Sequence, residues 1–293
     1  MTFEVKIIED SIFNGSRLTT FQLKYPRFIH AEFMTHRVFS RNASSSRAIP
    51  VAKMIEMVRN DPAMPVHWGK NQAGMQANEE LSNESKELVR EYWLKAANQA
   101  ADMAECMMAE GAHKQVVNRI LEPFQWISVV CTATEYKNFF DLRCHKDAQP
   151  EIKVLSDMMK HEYETNKPRE LKPDEYHLPY VTMEERFEVA EDNPHVPSKY
   201  DLVKMSVARC ARVSYLTHDG NKPNPQKDFE LYERLVGSNP IHASPAEHQA
   251  RPVKRLDYVR DLGGIYIQQF HGNFNRNWVQ FRKRLEIGRE EEF

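Results

Sequence analysis

A polar stretch from Thr35 to Arg47 constrains this chain more than any other part of it. It holds three arginines, one histidine, one asparagine and four serines in thirteen residues, directly after an apolar run that ends at Met34. Serine hydroxyls, asparagine amides and arginine forks hold phosphates and the polar edges of rings. Since Pro26 can open a helix, the chain is expected to leave a short helix near Arg37 as a polar loop facing a ligand. The alternative is an exposed basic loop.

Composition predicts a cytoplasmic protein with a real core. Lys plus Arg is 40 and Asp plus Glu is 42, so the charge argues against general nucleic-acid binding. Hydrophobic residues make up 41% of the chain, and the four cysteines form no CxxC motif. No apolar run has membrane-spanning length, and the first residues have no signal-peptide pattern. We expect neither a membrane nor a nucleic-acid partner.

The periodicity of the chain predicts an α/β (α+β) fold, with an antiparallel sheet flanked by long helices. Alternation of apolar and polar residues predicts two strands joined by a hairpin turn at Asn14-Gly15. The expected strands are residues 3–8, 18–25 and 126–132. The expected helices are residues 49–58, 83–110, 114–121, 135–143, 150–163 and 229–236. In the longest helix, a stripe on one face is expected to place its methionines and its aromatic residue in the core; it consists of Leu88, Tyr92, Ala96, Ala100, Met103 and Met107.

The chain is predicted to be a single domain, residues 1–293. Residues 166–198 carry five prolines and many charges, which is typical of a connector with little core of its own. Residues 255–293 form a C-terminal extension that includes a basic aromatic tail, residues 270–284. Three interpretations of the tail stay open: a surface amphipathic helix, a source of a cation for a ligand site, or a nucleotide-binding arm.

Four separated segments carry polar residues at defined spacing. The first is His36-Arg37-x7-Ser45-x-Arg47. The second is Arg119 with Leu121 and Pro123. The third is Asn138-Phe-x-x-Leu-Arg143, followed by Ala148-Gln-x-Glu-Ile152. The fourth is Ala-Arg-Val-Ser214-Tyr, followed by His242-x-Ser244-Pro-x-Glu247-His248.

Together these segments resemble the motifs of flavin-dependent thymidylate synthases. The resemblance covers roughly residues 17–163 and 200–250. In the familiar proteins the fourth segment comes first and runs directly into the His-Arg motif. Its C-terminal position here is what a circular permutation would produce, and permutation is tolerated where the chain ends lie close together. The permutation predicts that the strand near His248 neighbours the strand at residues 18–25.

The resemblance implies conversion of dUMP to dTMP with FAD, NADPH and methylene-tetrahydrofolate. It also implies a homotetramer with sites between subunits, dUMP and folate as substrates, no metal, and no enzyme nucleophile. Residue by residue, it implies substrate binding by Ser45, Arg47, Arg119, Arg143 and Glu32, with Arg143 and Ser45 as the catalytic residues. It implies FAD and folate contacts by His36, Arg37, Asn138, Ser214, His242, Ser244 and Glu247.

Two departures from the family pattern keep alternatives open. Thr35 stands where the motif has its first arginine, which removes a positive charge from the expected FAD phosphate site. Glu32 stands where a nucleotide-contacting glutamine is expected. An ionised carboxylate accepts hydrogen bonds and cannot donate them, so Glu32 would favour a pyrimidine amino group. A relative that acts on dCMP, or one that makes a hydroxymethyl product, is therefore the second hypothesis. A non-catalytic nucleotide- or RNA-binding protein on the same scaffold is the third.

Overall fold

A five-stranded sheet with the strand order β3-β4-β2-β1-β5 organises the protein. The computed structural model describes residues 3–188, 197–215, 224–254, 270–288 and 293. All strand pairs of this sheet are antiparallel except the short pair of β1 with β5. A second sheet pairs β6 with β7. The strands are β1 (Glu4–Phe13), β2 (Ser16–Pro26), β3 (Ser40–Ala43), β4 (Trp126–Ala133), β5 (Arg169–Glu170), β6 (Ala250–Pro252) and β7 (Trp278–Gln280). The predicted fold class is confirmed.

The helices flank this sheet on both faces. They are α1 (His30–Phe33), α2 (Val51–Asn60), α3 (Asn83–Ala109), α4 (Lys114–Val117), α5 (Lys137–Arg143), α6 (Pro150–Thr165), α7 (Met183–Phe187), α8 (Lys199–Ala211), α9 (Pro225–Val236) and α10 (Phe281–Glu286). Short 3-10 helices span Arg27–Ile29, Asn118–Phe124, Arg212–Tyr215 and Ser244–Glu247.

The first hairpin forms where the sequence predicts it. Asn14 and Gly15 have φ angles of 47° and 73°, the left-handed conformation that a two-residue hairpin turn of type I′ requires. The turn joins β1 to β2, which pairs with β4 from Thr19 to Pro26. β2 therefore lies at the centre of the sheet.

The two faces of the sheet are covered by different parts of the chain. Because side chains alternate along a strand, Val129 and Cys131 of β4 point to one face, where they pack with Phe33, Phe139 and other core residues of α1, α5 and α6. Val130 points to the opposite face and packs against Cys210 at the end of α8. The functional segments are distributed between these faces.

The predicted core stripe of α3 is wrong for most of its members, and only Ala100 and Met107 pack against the core. Leu88, Tyr92 and Met103 are 47%, 59% and 55% exposed. The buried positions are Ala97, Ala101 and Ala104, which pack with α2 and with the 118–124 segment. Small side chains let the backbones of neighbouring helices approach closely, so an alanine stripe faces the core although larger residues repeat at similar spacing.

The connector and the tail contribute more to the core than the sequence indicates. Leu178 and Val181, within the predicted connector, pack in the same cluster as α8. In the tail, Trp278 and Phe281 are fully buried. The prediction of a connector with little core was therefore wrong, and so was the surface-helix interpretation of the tail. The buried tail aromatics are also unable to stack on nucleic-acid bases.

The segments that the permutation would bring together do lie close to each other. Ala250 of β6 forms a backbone bridge with His177, whose ring contacts Thr20 of β2 at 2.8 Å. However, β6 pairs with β7 and is not a strand of the five-stranded sheet. The proximity agrees with the expectation, while the permuted order itself stays a prediction.

Candidate active site

Arg143 brings two of the sequence motifs into contact. It is the last residue of α5, and its guanidinium reaches across to the segment that follows α1. Its Nε donates to Nε2 of His36 at 3.0 Å, and its Nη2 donates to Oγ1 of Thr35 at 3.3 Å. Its Nη1 lies 3.4 Å from Oε2 of Glu32. The first and third motif segments, more than one hundred residues apart in sequence, therefore form one cluster.

His36 is neutral in this cluster. Burial lowers its pKa to about 4, with the nearby guanidiniums of Arg143 and Arg41 adding to the effect. Because an arginine only donates, Nε2 of His36 must accept, and the ring proton lies on Nδ1. Edge-to-face packing against Phe139, with ring centroids 4.8 Å apart, fixes the ring plane.

Arg41 holds the loop that carries these residues. Its Nη1 donates to the backbone carbonyls of Met34 and His36 at 2.9 and 3.1 Å. These bonds hold the loop that follows α1 against β3, the strand that contains Arg41. Although it lies inside the polar stretch, Arg41 was not among the predicted site residues, since a positioning arginine has the same sequence signal as a ligand-binding one.

A cavity of about 870 Å³ opens beside Arg143 and Glu32. Its wall includes His67 and Gly69 from the loop before α3, and Glu151 at the start of α6. Glu151 is buried, and its Oε1 accepts from the backbone N–H of Val66 at 2.7 Å, which joins the loop to α6. The volume lies within the range of small-molecule sites.

A second cluster, which includes the predicted residue Arg119, gathers around Glu122. Arg119, Arg27 and Ser46 donate to its Oε1 at 2.8, 3.0 and 2.7 Å. These bonds hold the turn that contains Ser45 against the 118–124 segment. Arg119 remains half exposed, with 54% of its side chain accessible.

Arg37 and Arg47 are exposed, and neither has an ion-pair partner among the described residues. Their two guanidiniums are thus available for an anionic ligand. Asn138 is also exposed, in the first turn of α5.

The predicted residues of the fourth segment lie on the other face of the sheet. His242 and Ser244 are exposed, and Glu247 forms an ion pair with Arg282 of α10. Gln280 links this segment to β3, since its Nε2 donates to the Glu247 carbonyl at 2.9 Å and to Ser40 Oγ at 3.1 Å. Ser214 lies in the 212–215 helix, and its side chain is outside the described part of the structure.

The sheet separates Arg143 and Glu247 within one chain. Arg143 belongs to the face covered by α5, and Glu247 to the face covered by α8 and α10. The structure therefore brings together Glu32, His36 and Arg143, and it separately places the turn that contains Ser45 beside Arg119 through Ser46 and Glu122. It does not place the fourth segment beside them in the same chain.

These residues fit an anionic nucleotide cofactor such as FAD. The cavity has sufficient volume, and Arg143, Lys146 and Lys153 in its wall supply positive charge although Thr35 does not. The exposed Arg37 and Arg47 are not among the residues that line it. Thr35 Oγ1 instead donates to the Glu32 carbonyl at 2.6 Å, so it stabilises the end of α1.

The family model described as "Thymidylate synthase complementing protein" matches residues 10–169, more than half of the chain. The chain belongs to this family. The match contains the first three motif segments, so the resemblance predicted from them is confirmed, and the fourth segment lies beyond it. Membership of this family supports a thymidylate-synthase-like methylation of a nucleotide.

Two solved structures of a UMP/dUMP methylase, PolB from Streptomyces cacaoi, show weak similarity to this family member. The one bound with 5-Br dUMP has a TM-score of 0.47 and 15% identity, covering 55% of this chain and 90% of that chain. The one bound with 5-Br UMP has a TM-score of 0.45 and 14% identity, covering 55% and 88%. No curated protein sequence matches the chain.

Two further properties concern the cysteines and the helices. Burial raises the pKa of the Cys131 thiol to about 12 and also raises that of Cys210, so both are poor nucleophiles. Among the described residues, no helix is long and apolar enough to cross a membrane.

Proposed function

We propose that this protein is a flavin-dependent thymidylate synthase that converts dUMP to dTMP. FAD, reduced by NADPH, would supply a hydride, and methylene-tetrahydrofolate would supply the one-carbon unit. Family membership supports the methylation of a nucleotide, and the finer assignment rests on the Arg143 cluster. The single observation that carries it is the contact of Arg143 with Glu32, Thr35 and His36 at the wall of a nucleotide-sized cavity.

The residues of this cluster have distinct roles in the proposal. Arg143 places a fixed positive charge beside the cavity, where it would donate to the pyrimidine carbonyls and stabilise negative charge on the activated ring. Neutral His36 accepts a hydrogen bond from Nε of Arg143, which fixes the orientation of the guanidinium. Preorganised donors of this kind cost no reorganisation during the reaction.

The exposed cations hold the phosphates in this proposal. Arg47, with the hydroxyl of Ser45, would bind the nucleotide phosphate, and Arg37 would bind FAD. A planar guanidinium suits a phosphate because it donates two parallel hydrogen bonds. Arg119 would reach the dUMP of a neighbouring subunit, for which its half-exposed position is suitable.

A homotetramer follows from the same assignment. Asn138, Ser214, His242, Ser244 and Glu247 would line the flavin and folate side of the site. Since Glu247 and Arg143 lie on opposite faces of the sheet, one chain does not assemble them into one pocket. Two chains packed face to face would do so, which supports sites between subunits.

Glu32 favours a second candidate, an enzyme that acts on dCMP or makes a hydroxymethyl product. Its side chain is 42% exposed, and it lines the cavity beside Arg143. A carboxylate next to a guanidinium accepts from a cytosine amino group while the arginine donates to the ring. The same pair also fits the N–H and carbonyl of uracil, so the geometry is compatible with both bases.

Product analysis tests this proposal. The purified protein is incubated with FAD, NADPH and methylene-tetrahydrofolate, and with either dUMP or dCMP, and the nucleotides are measured by mass spectrometry. A methyl gain on dUMP supports the proposal. A modified dCMP or a hydroxymethyl product supports the second candidate. A protein that binds no flavin and forms no product would instead be a binding protein on the same scaffold.

A matched pair of variants tests the role of the cluster. Arg143→Lys keeps the charge but removes the fork, and we expect turnover to fall at least tenfold. Arg59→Lys changes an exposed arginine of α2 that pairs with Asp102 and Glu105, so turnover should not change. Equal turnover in both variants would refute the assigned role of Arg143.

A further inference from the structure

A chain of buried hydroxyl and imidazole groups crosses the face of the sheet that the C-terminal half covers. It begins with Ser11 of β1, whose Oγ lies 2.9 Å from Nδ1 of His177. Nε2 of His177 lies 2.8 Å from Oγ1 of Thr20, which lies 2.7 Å from Oγ1 of Thr132. Oγ1 of Thr132 lies 2.8 Å from Nδ1 of His248. All five side chains are fully buried.

The far end of this chain has an unused nitrogen. Nε2 of His248 is buried and has no hydrogen-bond partner in the described part of the structure. Such groups are uncommon in folded proteins, and they often mark a functional group or the place of a water or ligand. His248 follows Glu247 directly and contacts Thr132, the register partner of Ser40 in β3. The His248 ring therefore lies near β3, which is part of the polar stretch of residues 35–47.

The near end of the chain has an acceptor. Oε1 of Glu9 lies 3.4 Å from Oγ of Ser11 and accepts from Arg169 at 3.2 Å, and its Oε2 accepts from Arg186 at 2.8 Å. Because every one of these neighbours donates, the carboxylate form of Glu9 suits the site. Burial raises the pKa of Glu9, and the two guanidiniums oppose that rise.

This acceptor fixes which group donates and which accepts in every hydrogen bond of the series. If Ser11 donates to Glu9, then Ser11 accepts from Nδ1–H of His177, and Nε2 of His177 accepts from Thr20. Thr20 then accepts from Thr132, and Thr132 accepts from Nδ1–H of His248. Both rings are neutral in this arrangement, which agrees with burial lowering the pKa of His248 to about 3 and that of His177 as well.

We propose that Glu9, Ser11, His177, Thr20 and Thr132 act as a positioning relay that holds the proton of His248 on Nδ1. Nε2 is then a fixed acceptor for a ring N–H of a bound heteroaromatic ligand, directly or through one water. The chemistry of that donor is shared by the flavin ring and the pyrimidine, and this step rests on the proposed function. His177 lies in the 166–198 segment, so the relay also gives that segment a role.

The first test is the tautomer of His248 in the protein without ligands. Imidazole nitrogens are observed by 15N NMR, with the signals of His248 assigned from a His248→Gln variant. We expect the proton on Nδ1 and an unprotonated Nε2. A proton on Nε2 would overturn the proposal.

Three threonine variants test the relay. Thr132→Val removes the hydroxyl next to His248, and Thr132→Ser restores it. Thr19→Val is the matched control, since Thr19 is equally buried on the neighbouring strand β2 but its Oγ1 donates to Asp10 at 2.8 Å, outside the relay. We expect the preference of His248 for the tautomer protonated on Nδ1 to be lost only in Thr132→Val. The same loss in Thr19→Val would mean a general structural effect and would overturn the relay.

Ligand titrations identify what Nε2 binds. FAD and dUMP are added separately, and the Nε2 signal and the dissociation constant are followed for each. Loss of one ordered hydrogen bond in Thr132→Val should weaken one ligand about tenfold, with recovery in Thr132→Ser. A shift with FAD assigns the flavin, and a shift with dUMP assigns the pyrimidine. If neither ligand shifts the signal, Nε2 is not a ligand acceptor and the proposal fails.

These measurements separate the relay from the proposed function. A protein that makes dTMP but carries the proton of His248 on Nε2 would keep its function and lose the relay. A protein that has the Nδ1 tautomer but makes no product from any nucleotide would contradict the proposed function, while the tautomer prediction would hold.

Discussion

The guanidinium of Arg143 donates to Nε2 of His36 at 3.0 Å, and this bond joins the end of α5 to the loop after α1. It fixes the tautomer of His36 and the direction of the arginine fork at the same time. Three neighbours of Arg143 belong to residues 32–36, so a change in that loop also moves the charge at the cavity wall.

Replacing Arg143 with glutamine should raise the pKa of His36. Removing the guanidinium removes the second of the three causes that lower this pKa, while burial, the largest cause, remains. The value should therefore rise above about 4 and stay below 6.5. An NMR titration of the imidazole measures it, with Arg59→Gln as a control that leaves it unchanged. An unaltered His36 titration in Arg143→Gln would show that the charge of Arg143 does not act on this ring.

Acid should destabilise the protein before its carboxylates titrate. The pKa values of His36 and His248 are lowered to about 4 and about 3 in the folded state, while their ordinary value is 6.5. Below pH 6.5 the unfolded chain binds protons that the folded chain does not bind, so stability falls as pH falls toward the folded values. Each such histidine contributes a slope of about 1.4 kcal/mol per pH unit. Urea unfolding between pH 8 and pH 4.5 checks this, and constant stability across pH 7 to 5 would contradict it.

Asp228 should be a strongly stabilising buried charge. It accepts from Nε of Arg209 at 2.8 Å and also pairs with Arg212. Asp228→Asn removes one of the two carboxylates that pair with the buried guanidinium of Arg209, the other being Glu185, and we expect a loss of about 1.5–3 kcal/mol in the free energy of unfolding. Asp102→Asn, in an exposed pair with Arg59, should cost less than about 1 kcal/mol. Similar losses in the two variants would contradict the buried network.

Trp278 should make the C-terminal tail part of the folding unit. It is fully buried, and its indole N–H donates to Ser16 Oγ at 2.9 Å, at the first hairpin. Trp278→Ala should lower the free energy of unfolding by about 3–5 kcal/mol. Phe187→Ala removes another aromatic ring, but one that is 80% exposed, so its effect should be within about 0.5 kcal/mol. A stable Trp278→Ala protein would mean that the tail folds independently of the sheet.

Glu32→Gln should change base preference toward uracil. The glutamine amide donates to a carbonyl as well as accepting, whereas the carboxylate only accepts. The ratio of turnover with dUMP to turnover with dCMP should therefore rise by about tenfold, the equivalent of one discriminating hydrogen bond. Both substrates are assayed with wild type and variant, and Glu79→Gln, at an exposed carboxylate, serves as the control. An unchanged ratio would remove Glu32 from the specificity determinants.

The sequence by itself determined the local elements and the motif residues. Asn14-Gly15 specified the hairpin because few residue pairs tolerate two positive φ angles. The position of α3 was predictable from the length and periodicity of its sequence pattern, because both depend only on residues that are close together in sequence. The spacing around His36 and Arg143 identified the family before their contact was known.

Only the tertiary structure decided which residues face each other. The core side of α3 is its alanine stripe because α2 packs against it, and an apolar repeat does not reveal that partner. Thr20, Thr132, His177 and His248 are ordinary polar residues in the sequence, and they become a relay because three strands and the C-terminal half place them in register. Such contacts depend on the pairing of distant segments, which local sequence patterns do not encode.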